Sequence, residues 1–356
     1  MTSHLFSPLV LRGVTLANRI WVSPMCQYSA DNGVASAWHD VHIGSFATGG
    51  AGLIMMEAAG VVPEGRISTK CLGLWNDEQV ERLRPIVQFA HSQGTKIGIQ
   101  LAHAGRKGSC LPPWSDHPMA SLDEGGWECV APSPIAFGGK YPVPRELSID
   151  EIRSLVSSFA DAAKRVIGVG FDLLEIHAAH GYLIHQFLSP ISNKRDDIYG
   201  GSFENRIRFL IEIIEAVRGV MPESMPLFLR ISASDWLDDG WTIDDSVELC
   251  KKVKALGVDL IDVSSGGTSS GAPVPVGPGY QVPFASEIRR KSAIPTAAVG
   301  LITDPHQAEA ILKNGDADAI FMAREFLRNP RWPLHAAHVL GEEIEWQPQL
   351  VRGKLN

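Results

Sequence analysis

The chain has 356 residues, 45% hydrophobic and 20% charged, so it can bury a large core and is not a disordered polymer. Forty acidic against 32 basic residues leave a net charge of −8, which argues against a nucleic-acid partner or an anionic-membrane partner. No apolar run reaches the ~18 residues of a membrane helix, and MTSHLFSPLV lacks the basic and apolar segments of a secretory leader, so a cytoplasmic protein is expected.

Residues 8–18 read as a short hairpin turning at Arg12 and Gly13. Residues 20–23 read as a first strand, and WHDVH then places His39 and His42 on a first helix, where a structural role is expected. A second strand, 53–58, leads to a helix over 77–93 with Val80, Leu83, Val87 and Ala90 on one side and Gly94 after it. The third strand, 96–101, runs into a long Pro- and Gly-rich segment, 102–147, of the length expected for a lid or binding loop. Ser148, Asp150 and Glu151 suit the start of a helix over 149–167 that aligns Ile152, Leu155, Phe159 and Ala163.

The fourth strand is 173–177, followed by a helix over 207–217. The fifth is 227–231, with a helix over 244–256 closed by Gly257. The sixth, 260–264, precedes a second Gly/Pro-rich loop, 266–280. The seventh is 296–299 and the eighth 319–322. Eight apolar strands alternating with helices predict a single (β/α)8 TIM barrel over 1–356, with the hairpin as its floor and 102–147 as a capping insertion. An open Rossmann sheet is the other arrangement of such units, but no GxGxxG follows the first strand.

In such a barrel the chemistry lies where the strands end. Those ends carry Ser23, Pro24, Met25, Cys26 and Tyr28 after the first strand, and Ala58 on the second. Gln100 and Lys107 come from the third, His177, His180 and Tyr182 from the fourth, and Arg230 from the fifth. Carboxylate clusters of the kind two-carboxylate hydrolases and metal-dependent enolases need are not obvious here. Donors dominate, which suits an oxyanion or an electron-rich ring. Gly300, Ala323 and Arg324 stand where barrels bind phosphate, although a plain Gly turn and a surface Arg are equally consistent with the spacing. His177 and His180 lack an HExxH or an evident third ligand, so no metal site is expected. Tyr182 beside them is a phenol that stays protonated at neutral pH and can give up a proton late in a reaction. Five scattered cysteines without a CxxC predict no disulfide framework. Cys71, Cys110, Cys129 and Cys250 read as packing or loop residues, and Cys26 stands out among polar partners.

These residues resemble the old yellow enzyme family, in its thermophilic-like bacterial ene-reductase branch near the xenobiotic reductases. The resemblance is carried by SPMCQYSADNG (23–33), GIQLAHAGRKG (98–108), IHAAHGYLIHQFLSPISNKRDDIYGGSFENRIRF (176–209), LFLRISASDW (227–236) and MARE (322–325). It implies a noncovalent FMN lined by Ser23, Pro24, Met25, Ala58, Gln100 and His177, with Arg230 at its N1/O2 edge and Cys26 tuning its potential. Gly300, Ala323 and Arg324 would hold the phosphate. His177 and His180 would bind the oxygen of a small electron-poor alkene, Tyr182 would protonate it, and Tyr28 and Lys107 would border it. NADPH, or NADH, would supply hydride in ping-pong fashion. The resemblance also implies a homodimer or homotetramer, in which Arg352 on a tail over 341–356 enters a neighbouring active site. Lys354 and Asn356 replace that branch's aromatic ending. A metal- or Schiff-base-dependent lyase and a non-catalytic flavin-binding barrel are the competing readings.

Overall fold

A computed structural model describes residues 3–354. Eight parallel strands close into a barrel in chain order: Ile20–Val22, Leu53–Gly60, Lys96–Ala102, Leu173–Ala178, Leu227–Ser232, Leu260–Ser264, Thr296–Ala298 and Ala319–Met322. Neighbouring strands pair parallel throughout, and the eighth closes on the first through Phe321 opposite Trp21. Because each strand is buried on both faces, its outward residues meet the surrounding helices and its inward residues fill the barrel.

The helices start where their sequences allow. Ile149–Val169 carries a reciprocal cap, with Ser148 N–H donating to Glu151 at 2.8 Å and Glu151 N–H donating back to Ser148 Oγ at 3.3 Å. Asp77–Ser92 is capped the same way by Asn76 and Gln79. The helix expected over 207–217 begins four residues earlier, as Phe203–Arg218, because the Ser202 hydroxyl accepts the Asn205 N–H. His39 lies on the helix Ala37–Ala47, and its Nε2 is 3.1 Å from Glu57.

Leu9–Leu11 and Val14–Leu16 form the expected antiparallel hairpin around Arg12 and Gly13. Leu11 and Leu16 cluster with Trp21, Phe228 and Phe321 and seal the floor with apolar side chains. Between the third strand and the helix Ile149–Val169, the chain forms short turns at Gly105–Lys107 and Leu122–Glu124 and a two-residue ladder, Val130–Ala131 with Arg145–Glu146. No described helix is long and apolar enough to cross a membrane.

Two histidines in this scaffold carry a pH signature. Burial pushes His103 down to about 3, and burial with neighbouring His39 pushes His42 down to about 4. Both folded-state values lie below the ordinary 6.5, so their contribution to stability is complete above that pH and is lost as pH falls towards 4. The urea midpoint should therefore decline between pH 7 and pH 4, and His103→Gln should flatten that slope. A midpoint insensitive to pH in this window would contradict the assignment.

Candidate active site

Inward-facing residues stack in layers above the floor. Gln100, Glu175, Arg230 and Asp262 occupy one layer on strands three to six, with Gln100 opposite Glu175 and Asp262 opposite Arg230. All four are buried. Arg230 Nε lies 3.0 Å from Asp262 Oδ2, and Arg230 Nη2 donates to Ser23 Oγ at 3.2 Å. Gln100 Nε2 donates to Glu175 Oε1 at 2.7 Å, while Glu175 Oε2 has no protein partner. Burial, reinforced by Asp262, raises Glu175 well above the usual carboxylate range. Burial likewise raises Asp262 to about 6, against the downward pull of Arg230. The expectation of few carboxylates at the mouth is thus corrected. Glu175 and Asp262 each sit two residues before a strand-end donor, His177 and Ser264, and the period of two turns them inward together.

The next layer holds the donors. The His177 ring lies 5.1 Å from that of His180 and 5.0 Å from that of Tyr182, centroid to centroid, edge-on in both cases. Burial drives both imidazoles well below 6.5, with the charge of Arg230 adding to it, so they are neutral at physiological pH. The Ala179 N–H donates to His177 Nδ1 at 3.3 Å, which leaves the ring proton of neutral His177 on Nε2. His180 Nε2 is 2.8 Å from Ser264 Oγ, and Ser264 also reaches Gln281 Oε1 at 3.2 Å. Burial, then the neighbouring Cys26 and Tyr28, raise Tyr182 well above an ordinary phenol, so it keeps its proton.

This donor turn is held under constraint. His180 adopts φ +60° and Gly181 φ +72°, and a Cβ on Gly181 would stand 2.1 Å from the Gly267 carbonyl oxygen. The His180 N–H donates to Ser232 Oγ at 2.9 Å. Lys107 Nζ donates to the carbonyls of His180 at 2.8 Å and Gly267 at 3.0 Å, tying the turn to the loop after strand six. Burial and the adjacent Arg106 lower Lys107 to about 8. Its ammonium lies 5.2 Å from the Tyr182 ring centroid, but its hydrogen bonds go to backbone. Beneath the turn, the Gly181 N–H donates to His185 Nδ1 at 2.9 Å, and His185 Nε2 lies 3.1 Å from Asp235. Burial opposes ionisation of Asp235, yet His185, Ser189 and the Trp241 N–H hold it below the ordinary range. Sequence reasoning missed His185 and Asp235. The signal is a histidine on the helix Leu183–Leu188 directly after the donor motif, readable only once the fold brings residue 235 beside it.

Ser23 is buried and Pro24, Met25 and Cys26 are half-buried in an extended segment, so Cys26 stands four residues beyond the first strand rather than on its end. Ala58 follows a register shift between Met56 and Ala58 that re-aims the second strand at the mouth. Tyr28, at φ +52°, packs edge-on against Trp114 with centroids 5.7 Å apart. Among the described residues, the one trio of metal-type donors in mutual reach is Cys26, Glu57 and Cys71, which includes neither His177 nor His180.

A separate cavity of about 150 Å³ opens between strands seven and eight, lined by Tyr280, Gly300, Leu301, Ala323, Arg324 and Arg328. Gly300 has φ +126°, and a Cβ there would crowd Gln281 and Tyr280 at 3.0 Å. Arg352 is exposed on the turn Val351–Gly353. The tail before it is tied to the opposite end of the barrel, where Gln347 Nε2 donates to the Gln93 carbonyl ahead of strand three. Asn356 lies outside the described residues.

A barrel with a buried guanidinium, neutral imidazoles and a cavity beside Arg324 beyond strands seven and eight fits a flavin-dependent oxidoreductase. The comparisons agree: residues 4–343 match the NADH:flavin oxidoreductase / NADH oxidase family. The chain is 51% identical to the NADPH dehydrogenase of Geobacillus thermodenitrificans over 99% of both chains. It is 45% identical to an NADH:flavin oxidoreductase of Gibberella zeae, over 98% of this chain and 89% of that one. Morphinone reductase superposes with a TM-score of 0.80 at 27% identity, covering 98% of this chain and 93% of its own. Morphinone reductase in complex with tetrahydroNAD gives 0.78 at 28% identity, over 97% and 93%. The chain belongs to the NADH:flavin oxidoreductase / NADH oxidase family, the old yellow enzymes.

The enzyme uses FMN and a nicotinamide cosubstrate. Its residues fit the flavin on three counts: the φ +126° cradle at Gly300, the cavity beside Arg324, and the buried mouth where Arg230 Nε and Glu175 Oε2 lack aligned protein partners. One structural consequence is testable apart from any ligand. Lys107→Met removes two charge-assisted hydrogen bonds and should cost about 2–3 kcal/mol in urea unfolding. A cost under about 0.5 kcal/mol would show that the brace is idle.

Proposed function

We propose that this enzyme reduces the activated C=C bond of enals, enones, maleimides or nitroalkenes. The reading rests on one observation: two neutral imidazoles and a protonated phenol gather within about 5 Å, centroid to centroid, above a buried cation. Ser23, Pro24, Met25, Cys26, Ala58, Gln100, His177 and Arg230 would hold the flavin ring, and Gly300, Ala323 and Arg324 its phosphate. The flavin held there would supply the chemistry of hydride transfer between NADPH and the alkene.

His177 presents its Nε2–H to the substrate's carbonyl or nitro oxygen. His180 joins it as a second donor when Ser264 turns its hydroxyl proton towards His180 Nε2, which leaves the ring proton on Nδ1. Neutral donors stabilise the developing negative charge without first surrendering a proton to it. Tyr182 gives its phenolic proton to the α-carbon, and its raised affinity for that proton favours recovery from solvent. Tyr28 borders the substrate, and Lys107 acts by holding the His180 turn. Arg352 lies away from its own mouth, so the proposed role for it needs a second copy of the chain, in a homodimer or homotetramer.

Anaerobic stopped-flow measurements separate the steps. Tyr182→Phe should leave flavin reduction by NADPH near the wild-type rate and slow reoxidation by cyclohexenone by about 10²–10⁴-fold. In the same assay, a chain ending at residue 349 should show a raised KM for the enone with flavin reduction unchanged. Equal slowing of both half-reactions by Tyr182→Phe would contradict the role given to the phenol.

A further inference from the structure

One pair of thiols beside the mouth joins a residue of the proposed flavin wall, Cys26, to one that this chemistry does not use, Cys71. Cys26 is half-buried in the segment after strand one, and Cys71 is fully buried in the loop after strand two. Both sulfurs and a Glu57 carboxylate oxygen lie within 4.8 Å of one another. Backbone fixes this approach on both sides of Cys71. The Ala30 N–H donates to the Lys70 carbonyl at 2.9 Å, the Gly60 N–H to the Leu72 carbonyl at 2.9 Å, and the Gly73 N–H to the Gly33 carbonyl at 3.0 Å. Cys71 is therefore presented to Cys26 by the same wall that carries Cys26.

The surroundings differ for the two sulfurs. A hydrogen bond from the Cys26 thiol is the main influence that lowers Cys71, and Ser68 Oγ adds another contact at 3.2 Å. The same contact, with burial, raises Cys26. Glu57 sits against both and is itself raised by burial, against the opposing pull of His39. Cys26 is the more accessible of the two, so a peroxide meets it first and its thiol gives up its proton as it attacks. Cys71 stands behind it with the lowered proton affinity, which suits the sulfur of the resolving step.

We propose that Cys26 and Cys71 are a dithiol couple that hydrogen peroxide or an organic hydroperoxide converts to a reversible intramolecular disulfide. In the first step the Cys26 sulfur attacks one peroxide oxygen. The S–O bond forms, the O–O bond breaks, and the leaving hydroxide or alkoxide takes the thiol proton. In the second step the Cys71 sulfur attacks the Cys26 sulfur. The S–S bond forms, the S–O bond breaks, and the hydroxyl departs as water with the Cys71 proton. The two sulfurs lose two electrons and the peroxide gains them. Closing the bond brings the two sulfurs from within 4.8 Å of one another to about 2.05 Å. The inference stands on the positions of the two cysteines and is independent of the alkene-reductase reading.

The test uses the full-length holoenzyme, titrated with hydrogen peroxide, quenched in denaturant with an alkylating reagent, and read by intact mass and peptide mapping. Two of the five thiols should be lost together, the Cys26 and Cys71 peptides should be joined, and dithiothreitol should restore both. In Cys71→Ser the cross-link should vanish and Cys26 should gain oxygen instead. In Cys26→Ser, Cys71 should remain a thiol at the same peroxide dose. The proposal is overturned by oxygen added to wild-type Cys26 while Cys71 stays free, by a bridge between other cysteines, or by protection of both thiols that only a chelator relieves.

Discussion

A guanidinium buried in the barrel sets the terms for everything above it. Arg230 is 6% exposed, and an isolated cation there would be prohibitive. Asp262 offsets it directly at 3.0 Å, and Glu175 completes the layer through its link to Gln100. Burial keeps Glu175 protonated, so the cluster does not carry two negative charges against one positive. Removing one partner of such a cluster typically costs about 3–5 kcal/mol, because the other charge is left alone. The field of Arg230 then acts upwards. Added to burial, it denies a proton to His177 and His180 and makes them donors rather than cations.

The donor turn depends on a second constraint, the tethering of loops that have no helix or sheet of their own. Lys107 bridges the His180 and Gly267 carbonyls. Arg106 donates to the Thr268 carbonyl at 2.8 Å and the Ile135 carbonyl at 3.0 Å, joining the capping segment to the same loop. His185 and Asp235 support the turn from below. Charged side chains that satisfy carbonyls allow a left-handed His180 to persist in an irregular region. The site is thus positioned by two layers of buried charge, one inside the barrel and one in its loops.

The barrel was legible in the sequence because each strand is an apolar run and six of the described α-helices begin at a side-chain cap. All eight strands end on their expected positions or within two residues of them, and Ser148 caps its helix as read. The donors were legible too, since strand ends are where barrels place chemistry. The charged layer was not. Glu175 and Asp262 sit singly in apolar runs, and only closure brings them to Arg230. The brace made by Lys107 was not legible either, because its backbone partners belong to loops 73 and 160 residues away. Cys71 was invisible for the same reason, since its neighbour Cys26 lies on another wall segment.

The claim that most needs a direct measurement is the protonation state of the imidazole pair. Nitrogen-15 NMR of histidine-labelled protein, assigned with His177→Asn and His180→Asn, reads ring protonation across pH 8 to pH 5. Both rings should remain neutral over that whole span, with the His177 proton on Nε2. An imidazole at either position that gains a second proton with a midpoint near 6.5 would contradict the account.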